Sequence, residues 1–193
     1  MRIFDITREL LSAPVYEGDP FPVVNRLLKM EDGDVCNLTA INMCLHAGTH
    51  VDAPSHYVED GHTIEELPLE KFIGDCKVIS VFEKELTGQD IDECGISGVK
   101  RLLIKGYSKS NLTRSAAFVL VAEGVELVGI DSPSIGTMDD QFEVHRILQL
   151  AGVIILEGLD LSAVQSGDYT LIAPPLKING VEGAPCRAIL IKE

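Results

Sequence analysis

The chain has 193 residues, comfortable for one compact domain and short for two. Thirty acidic against 16 basic residues give a formal charge of −14, and no local run of Lys and Arg offsets it. Nucleic acid and anionic membrane surfaces are therefore excluded as expected partners.

Hydrophobic residues make up 46% of the chain, while aromatics are only 5% and Trp is absent, so aliphatic side chains must fill the core. Seventeen Gly and nine Pro imply many turns, which suits a mixed α/β domain better than a helical bundle. In chain order, strands are expected at Asn37–Leu45, Cys76–Val81, Arg101–Ile104, Phe118–Val121, Leu127–Ile130, Val153–Leu156, Tyr169–Ile172 and Cys186–Ile191. Each is rich in Val, Ile and Leu and bounded by Gly, Pro, Asp or Ser. A short helix is expected over Gln89–Cys94 and a clearer one over Asp140–Ala151. In the latter, Val144, Ile147, Leu148 and Ala151 repeat with the spacing of a buried face and Gly152 ends the run. Strand exceeds helix. The expectation is a single strand-rich α/β domain over residues 1–193 with a mixed sheet.

The chemistry concentrates in His46-Ala-Gly-Thr-His50-Val-Asp52-Ala-Pro54-Ser-His56, where three of the five histidines fall within eleven residues. Gly48 and Pro54 argue against a helix here. In an extended segment side chains alternate between faces, so His46, His50, Asp52 and His56 would share one side and Val51 and Ala53 the other. Gly48 permits a kink or a close backbone approach. Imidazoles and a carboxylate at this spacing suit a borderline divalent metal such as zinc. A purely structural role or a closed structural metal site are the competing readings. An oxygen- and nitrogen-rich set without thiolates fits a catalytic metal with open positions better than a structural zinc. His62, by itself, reads as an ordinary hydrogen-bonded histidine.

A second element must complete such a site. His145 lies on the flank of the helical apolar face, where it is either a hydrogen-bonded helix residue or part of the centre. Glu157 lies inside the apolar run Gly152–Leu159, where a carboxylate either reaches water or is paired or metal-bound, because an unpaired buried charge is costly. No phosphate-binding glycine loop and no Gly-x-Ser-x-Gly elbow is present. The five cysteines are dispersed and form no Cys-x-x-Cys pair, which suits free thiols in a reducing cytoplasm. The N-terminus carries acids where a signal peptide would be apolar, and the longest apolar run, Ala116–Ala122, is too short to span a bilayer.

The pattern His46-x-Gly48-Thr49-His50-x-Asp52-x-Pro54-x-His56 resembles the signature of the bacterial kynurenine formamidase and cyclase family of metal-dependent hydrolases. The resemblance spans nearly the whole chain, through Phe4–Thr7, Pro14–Pro20, Gly129–Ser134, Ile155–Leu159, Gly167–Tyr169, Pro175–Lys177 and Pro185–Ala188. It implies a swivelling β/α domain, generally a homodimer, with two divalent metal ions, usually zinc, with manganese as the alternative. His46, His50 and Asp52 would bind one metal, His145 the other, and Asp52 and Glu157 would bridge. His56 would carry protons for a metal-bound hydroxide that opens an amide. Tyr16 stands where the formamidases carry a substrate-contacting Trp, and Tyr107–Arg114 is shorter than their aromatic loop. The implied activity is hydrolysis of N-formyl-kynurenine, a small-molecule amide. A cyclic amide such as isatin, a lactone or another small acyl compound is the alternative, and a metal-binding protein without turnover is the alternative of another class.

Overall fold

The computed structural model describes residues 1–193. Nine of its strands form one mixed sheet. Four parallel strands make its centre: β5 (Ile73–Ser80), β7 (Arg101–Lys105), β9 (Leu127–Ile130) and β10 (Ile154–Glu157). Beyond β10 run two antiparallel strands, β4 (His50–Asp52) and then β12 (Gly183–Pro185). Beyond β5 run β11 (Gly167–Ile172), β13 (Ile189–Lys192) and β1 (Arg2–Asp5), also antiparallel. Two strands, β2 (Val23–Leu28) and β3 (Leu38–Asn42), form a separate hairpin, and β6 (Glu85–Leu86) pairs with β8 (Asn111–Leu112).

The sheet is buried on both faces, which explains the continuous apolar runs in its central strands. Alternate residues divide between two cores. Ile104, Val128 and Ile155 face the helices α1 (Gly88–Glu93), α2 (Arg114–Ala122) and α3 (Gln141–Leu150), whose Ile91, Leu120, Val144 and Leu148 complete that layer. Leu103, Leu127 and Leu156 face the other way, onto Ile6, Phe72, Leu159 and Leu171. Fully burying each such Leu or Ile stabilises the fold by roughly 1.5–3 kcal/mol. No helix is long and apolar enough to cross a membrane.

Most expected elements appear within a residue or two, and the expected strand-rich mixed sheet is present. Phe118–Val121 is a correction: it lies in helix α2, not in a strand. Its neighbours β7 and β9 are parallel, and parallel strands need a crossover between them. Ala116, Ala117 and Leu120 turn the same apolar run into a buried helical face. Cys186–Ile191 is strand only from Ile189, and Asn37–Leu45 only over Leu38–Asn42, in the hairpin and not the main sheet.

Candidate metal centre

The centre lies at the carboxyl end of the parallel strands, where open α/β sheets gather their functional groups. Glu157 is the last residue of β10, and its antiparallel partner on β4 is His50. Two residues on, Asp52 points to the same face as His50, while Val51 between them is buried in the opposite core. From above that face, α3 brings in His145, halfway along its length.

The alternation expected over His46–His56 holds only for His50–Asp52. His46 precedes the strand in a turn, and His56 follows it in a 3-10 turn over Pro54–His56. Both rings still arrive at the centre, but by chain reversal and not by strand parity. Gly48 supplies the kink, with φ +68°. Its carbonyl turns toward β10, and Gly158 packs against it so closely that a Cβ there would fall 2.2 Å from Gly48 O. Gly158 also has φ +64°. Thr49 locks this crossing, its Oγ1 donating to Gly158 O at 2.6 Å. Gly158→Ala should therefore destabilise the fold by at least about 2 kcal/mol, through backbone clash and a strained φ together. Gly124→Ala, with φ +74° but open space around it, should cost only about 1 kcal/mol. Denaturant midpoints of the two variants check the difference.

The ligand-type atoms converge. Asp52 Oδ1 lies 2.8 Å from His46 Nδ1 and 3.3 Å from His50 Nε2, and its Oδ2 lies 3.7 Å from His145 Nε2. Glu157 Oε2 lies 3.3 Å from His50 Nε2, and Oε1 lies 3.2 Å from His145 Nε2. Glu157 Oε1 also accepts the Ile135 N–H at 2.7 Å. The donors form two groups, His46–His50–Asp52 and Asp52–His145–Glu157, sharing Asp52, with all atoms of each group within 4.8 Å of one another. Asp52 is 0%, His145 1%, His50 2% and Glu157 4% exposed, so Glu157 does not reach water.

Hydrogen-bond polarity shows that a cation fits. His50 Nδ1 faces Gly48 O at 3.0 Å and His145 Nδ1 faces Gln141 O at 2.7 Å. Only an N–H can face a carbonyl oxygen, so both Nδ1 atoms carry the proton. In its neutral form each ring then aims a bare Nε2 lone pair at carboxylate oxygens. Such an acceptor-only cluster is costly to bury unless protons or metal cations sit between the atoms. His46 Nε2, His50 Nε2 and Asp52 Oδ2 are buried without a hydrogen-bond partner. Burial opposes protonation of His46, His50 and His145, yet the facing carboxylates outweigh it and lift all three above the usual imidazole range. Burial pushes Asp52 and Glu157 upward, but the rings hold both below the usual carboxylate range. Nitrogen and carboxylate donors without thiolate suit zinc or manganese. Cys44, two residues before His46, donates its thiol proton to Asp19 instead.

His56 stands apart from the donor groups. Its ring stacks on His46 with centroids 4.2 Å apart, meets Tyr57 edge-on at 4.4 Å and lies 6.0 Å from His145. No protein group hydrogen-bonds its ring nitrogens. Burial lowers its pKa, which keeps the ring neutral and able to take a proton. Tyr16, with His46, Arg8 and Pro133, lines a narrow recess of about 10 Å³, and its hydroxyl donates to Gln141 Oε1 at 2.6 Å. His62 is exposed, 3.3 Å from Glu66, far from this chemistry in character. Sequence patterning gave no sign of Tyr57, which stacks on His145, or of Gln141, whose main chain orients that ring. Their roles arise only from the fold.

Fold and donor set together define a metal-dependent hydrolase. Residues 4–137, more than half of the chain, match the model of the Cyclase family, described as "Putative cyclase", and the chain belongs to that family. More particularly, it is a homologue of the kynurenine formamidase of Bacillus cytotoxicus, 35% identical over 188 residues that cover 91% of this chain and 90% of that protein. A solved structure from Bacillus stearothermophilus, described as a predicted metal-dependent hydrolase, is 32% identical with a TM-score of 0.85, covering 98% of this chain and 97% of that one. Isatin hydrolase A from Labrenzia aggregata shares the fold, with a TM-score of 0.85 at 23% identity over 100% of this chain and 94% of that one.

Proposed function

We propose that the protein is an arylformamidase that hydrolyses N-formyl-kynurenine to kynurenine and formate, using two divalent metal ions, zinc or manganese. The observation that carries this reading is the pair of three-donor groups sharing Asp52. His46, His50 and Asp52 would hold one cation, Asp52, His145 and Glu157 the other. Three protein donors per cation leave positions open for water and substrate, which a non-catalytic metal store would have filled.

Bound there, the cations would acidify water and polarise the scissile carbonyl. The chain's own residues do the rest. His56, neutral and unpaired beside His46, accepts the proton of the attacking water and delivers it to the leaving amine nitrogen. Tyr57, stacked on His145 at 4.5 Å and edge-on to His56, confines both rings. Tyr16 offers the substrate an aromatic wall, and its bond to Gln141 closes the recess over the centre until substrate displaces it. Side-by-side assays of N-formyl-kynurenine and isatin test the assignment. Faster release of kynurenine supports it, and preferential ring opening of isatin moves the substrate to cyclic amides.

The working unit in this reading is a homodimer. Every residue of β3 and five of the six in β2 are exposed, including Val23, Leu27, Leu38 and Ile41. A two-stranded ribbon is marginal in water by itself, and apolar side chains this exposed call for cover. A second copy supplies it. The variant Leu27→Glu/Ile41→Glu should sediment as a monomer where the parent sediments as a dimer, and a monomeric parent would sink the idea. The five free thiols suit a reducing compartment such as the cytoplasm.

A further inference from the structure

We propose that Glu182 is a positioning residue for the metal centre: it receives the Nε2–H of His46 and so holds that ring with Nδ1 toward the cation. This rests on the two-cation reading above. The three imidazoles of the centre are not presented alike. His50 and His145 spend their Nδ1–H on main-chain carbonyls and turn Nε2 inward. His46 is reversed. Its Nδ1 faces the centre, 2.8 Å from Asp52 Oδ1, and its Nε2 faces out of it. A neutral ring that ligates through Nδ1 carries its proton on Nε2, and that N–H needs an acceptor of its own.

No main-chain carbonyl supplies one. His46 Nε2 is buried without a hydrogen-bond partner, and Glu182 Oε1 lies 3.5 Å from it. That separation is about 0.3 Å beyond an ordinary N–H···O bond. The Glu182 side chain is 44% exposed and has no Lys or Arg within 4.0 Å, so nothing holds it back from closing the gap.

The main chain sets the pair up. Glu182 immediately precedes β12, the edge strand beside β4, and its carbonyl accepts the Ala53 N–H at 2.8 Å, one residue beyond Asp52. Gly183 pairs with Asp52 and makes room for the ring: a Cβ there would stand 2.9 Å from His46 Cε1 and 3.2 Å from Nε2. The Nε2 edge of the ring thus lies against β12 while the Nδ1 edge meets Asp52. His46 is also the least enclosed of the three rings, its side chain 14% exposed against 2% for His50 and His145. A carboxylate behind a ligating imidazole fixes the tautomer and the ring orientation, and it makes the ring a stronger donor.

The test titrates zinc into the chelator-stripped parent, Glu182→Gln and Glu182→Ala, against a competing chromophoric chelator. Glu182→Ala should weaken one of the two bound ions on the order of 10- to 100-fold and the other much less. Glu182→Gln keeps an acceptor for the N–H and gives up only the charge, so its loss should be smaller. In nitrogen-15 spectra of the zinc-loaded parent, His46 should carry its proton on Nε2 and the metal on Nδ1, the reverse of His50 and His145. Unchanged zinc affinity in Glu182→Ala overturns the proposal. So does an equal weakening of both ions, which is what the loss of one nearby negative charge would produce, and so do spectra that put the metal on His46 Nε2. A parent that binds no zinc overturns the two-cation reading first, and this proposal with it.

Discussion

Asp52→Ala should abolish metal binding and lower turnover at least about a thousandfold. Asp52 is the residue common to both donor groups, and it contacts three imidazoles through two oxygens. Its removal takes a donor from each group at once, so neither retains three. It also leaves His46 Nδ1 without its acceptor and His50 with Glu157 alone. Asp52→Asn preserves the volume and one carbonyl oxygen, but it replaces the other oxygen by an amide N–H that repels a cation, so it should lose metal too. Elemental analysis after desalting reads the result directly, with circular dichroism to show that the sheet survives. A full metal complement in Asp52→Ala would refute the shared-carboxylate arrangement.

His56→Ala should do the opposite to the metal and much the same to the rate. The ring belongs to neither donor group and stands beside them by stacking on His46. The variant should keep its metal and lose about 10²- to 10⁴-fold in kcat, the usual worth of a positioned general acid–base. KM should move much less than kcat, because the lost interaction is with protons in flight and not with bound substrate. Metal loss in this variant would make His56 a ligand. An unchanged kcat would give the proton transfers to another group.

The two variants probe residues that the sequence already singled out. Local signals explain why. Four of the positions fall inside eleven residues, and Glu157 interrupts the end of an apolar run, where a charge stands out. Periodicity located α3 within a residue at each end, because its buried positions recur with helical spacing. Leu127–Ile130 was legible because turn residues bracket it. Composition failed at Phe118–Val121, since Val and Leu there serve a crossover helix whose need arises from the parallel pairing of strands on either side. The strands Arg2–Asp5 and Val23–Leu28 escaped notice, the first paired with the far end of the chain and the second in an exposed hairpin without a clean alternation of polar and apolar residues. The same limit hides Arg8. Its side-chain hydrogen bonds go to Ser108 and Asp131, which lie 100 and 123 residues away in sequence, and no local pattern encodes such an encounter.

In the proposed reading, the paired donor groups form a two-cation hydrolytic centre acting on an aryl formamide. The most direct measurement strips the protein with chelator, titrates zinc or manganese back, and follows kynurenine release from N-formyl-kynurenine against bound metal per chain. Turnover should be absent in the stripped protein and should rise with added metal, levelling off at two metals per chain. Turnover that persists without metal, or its absence in protein holding two metals, would contradict it.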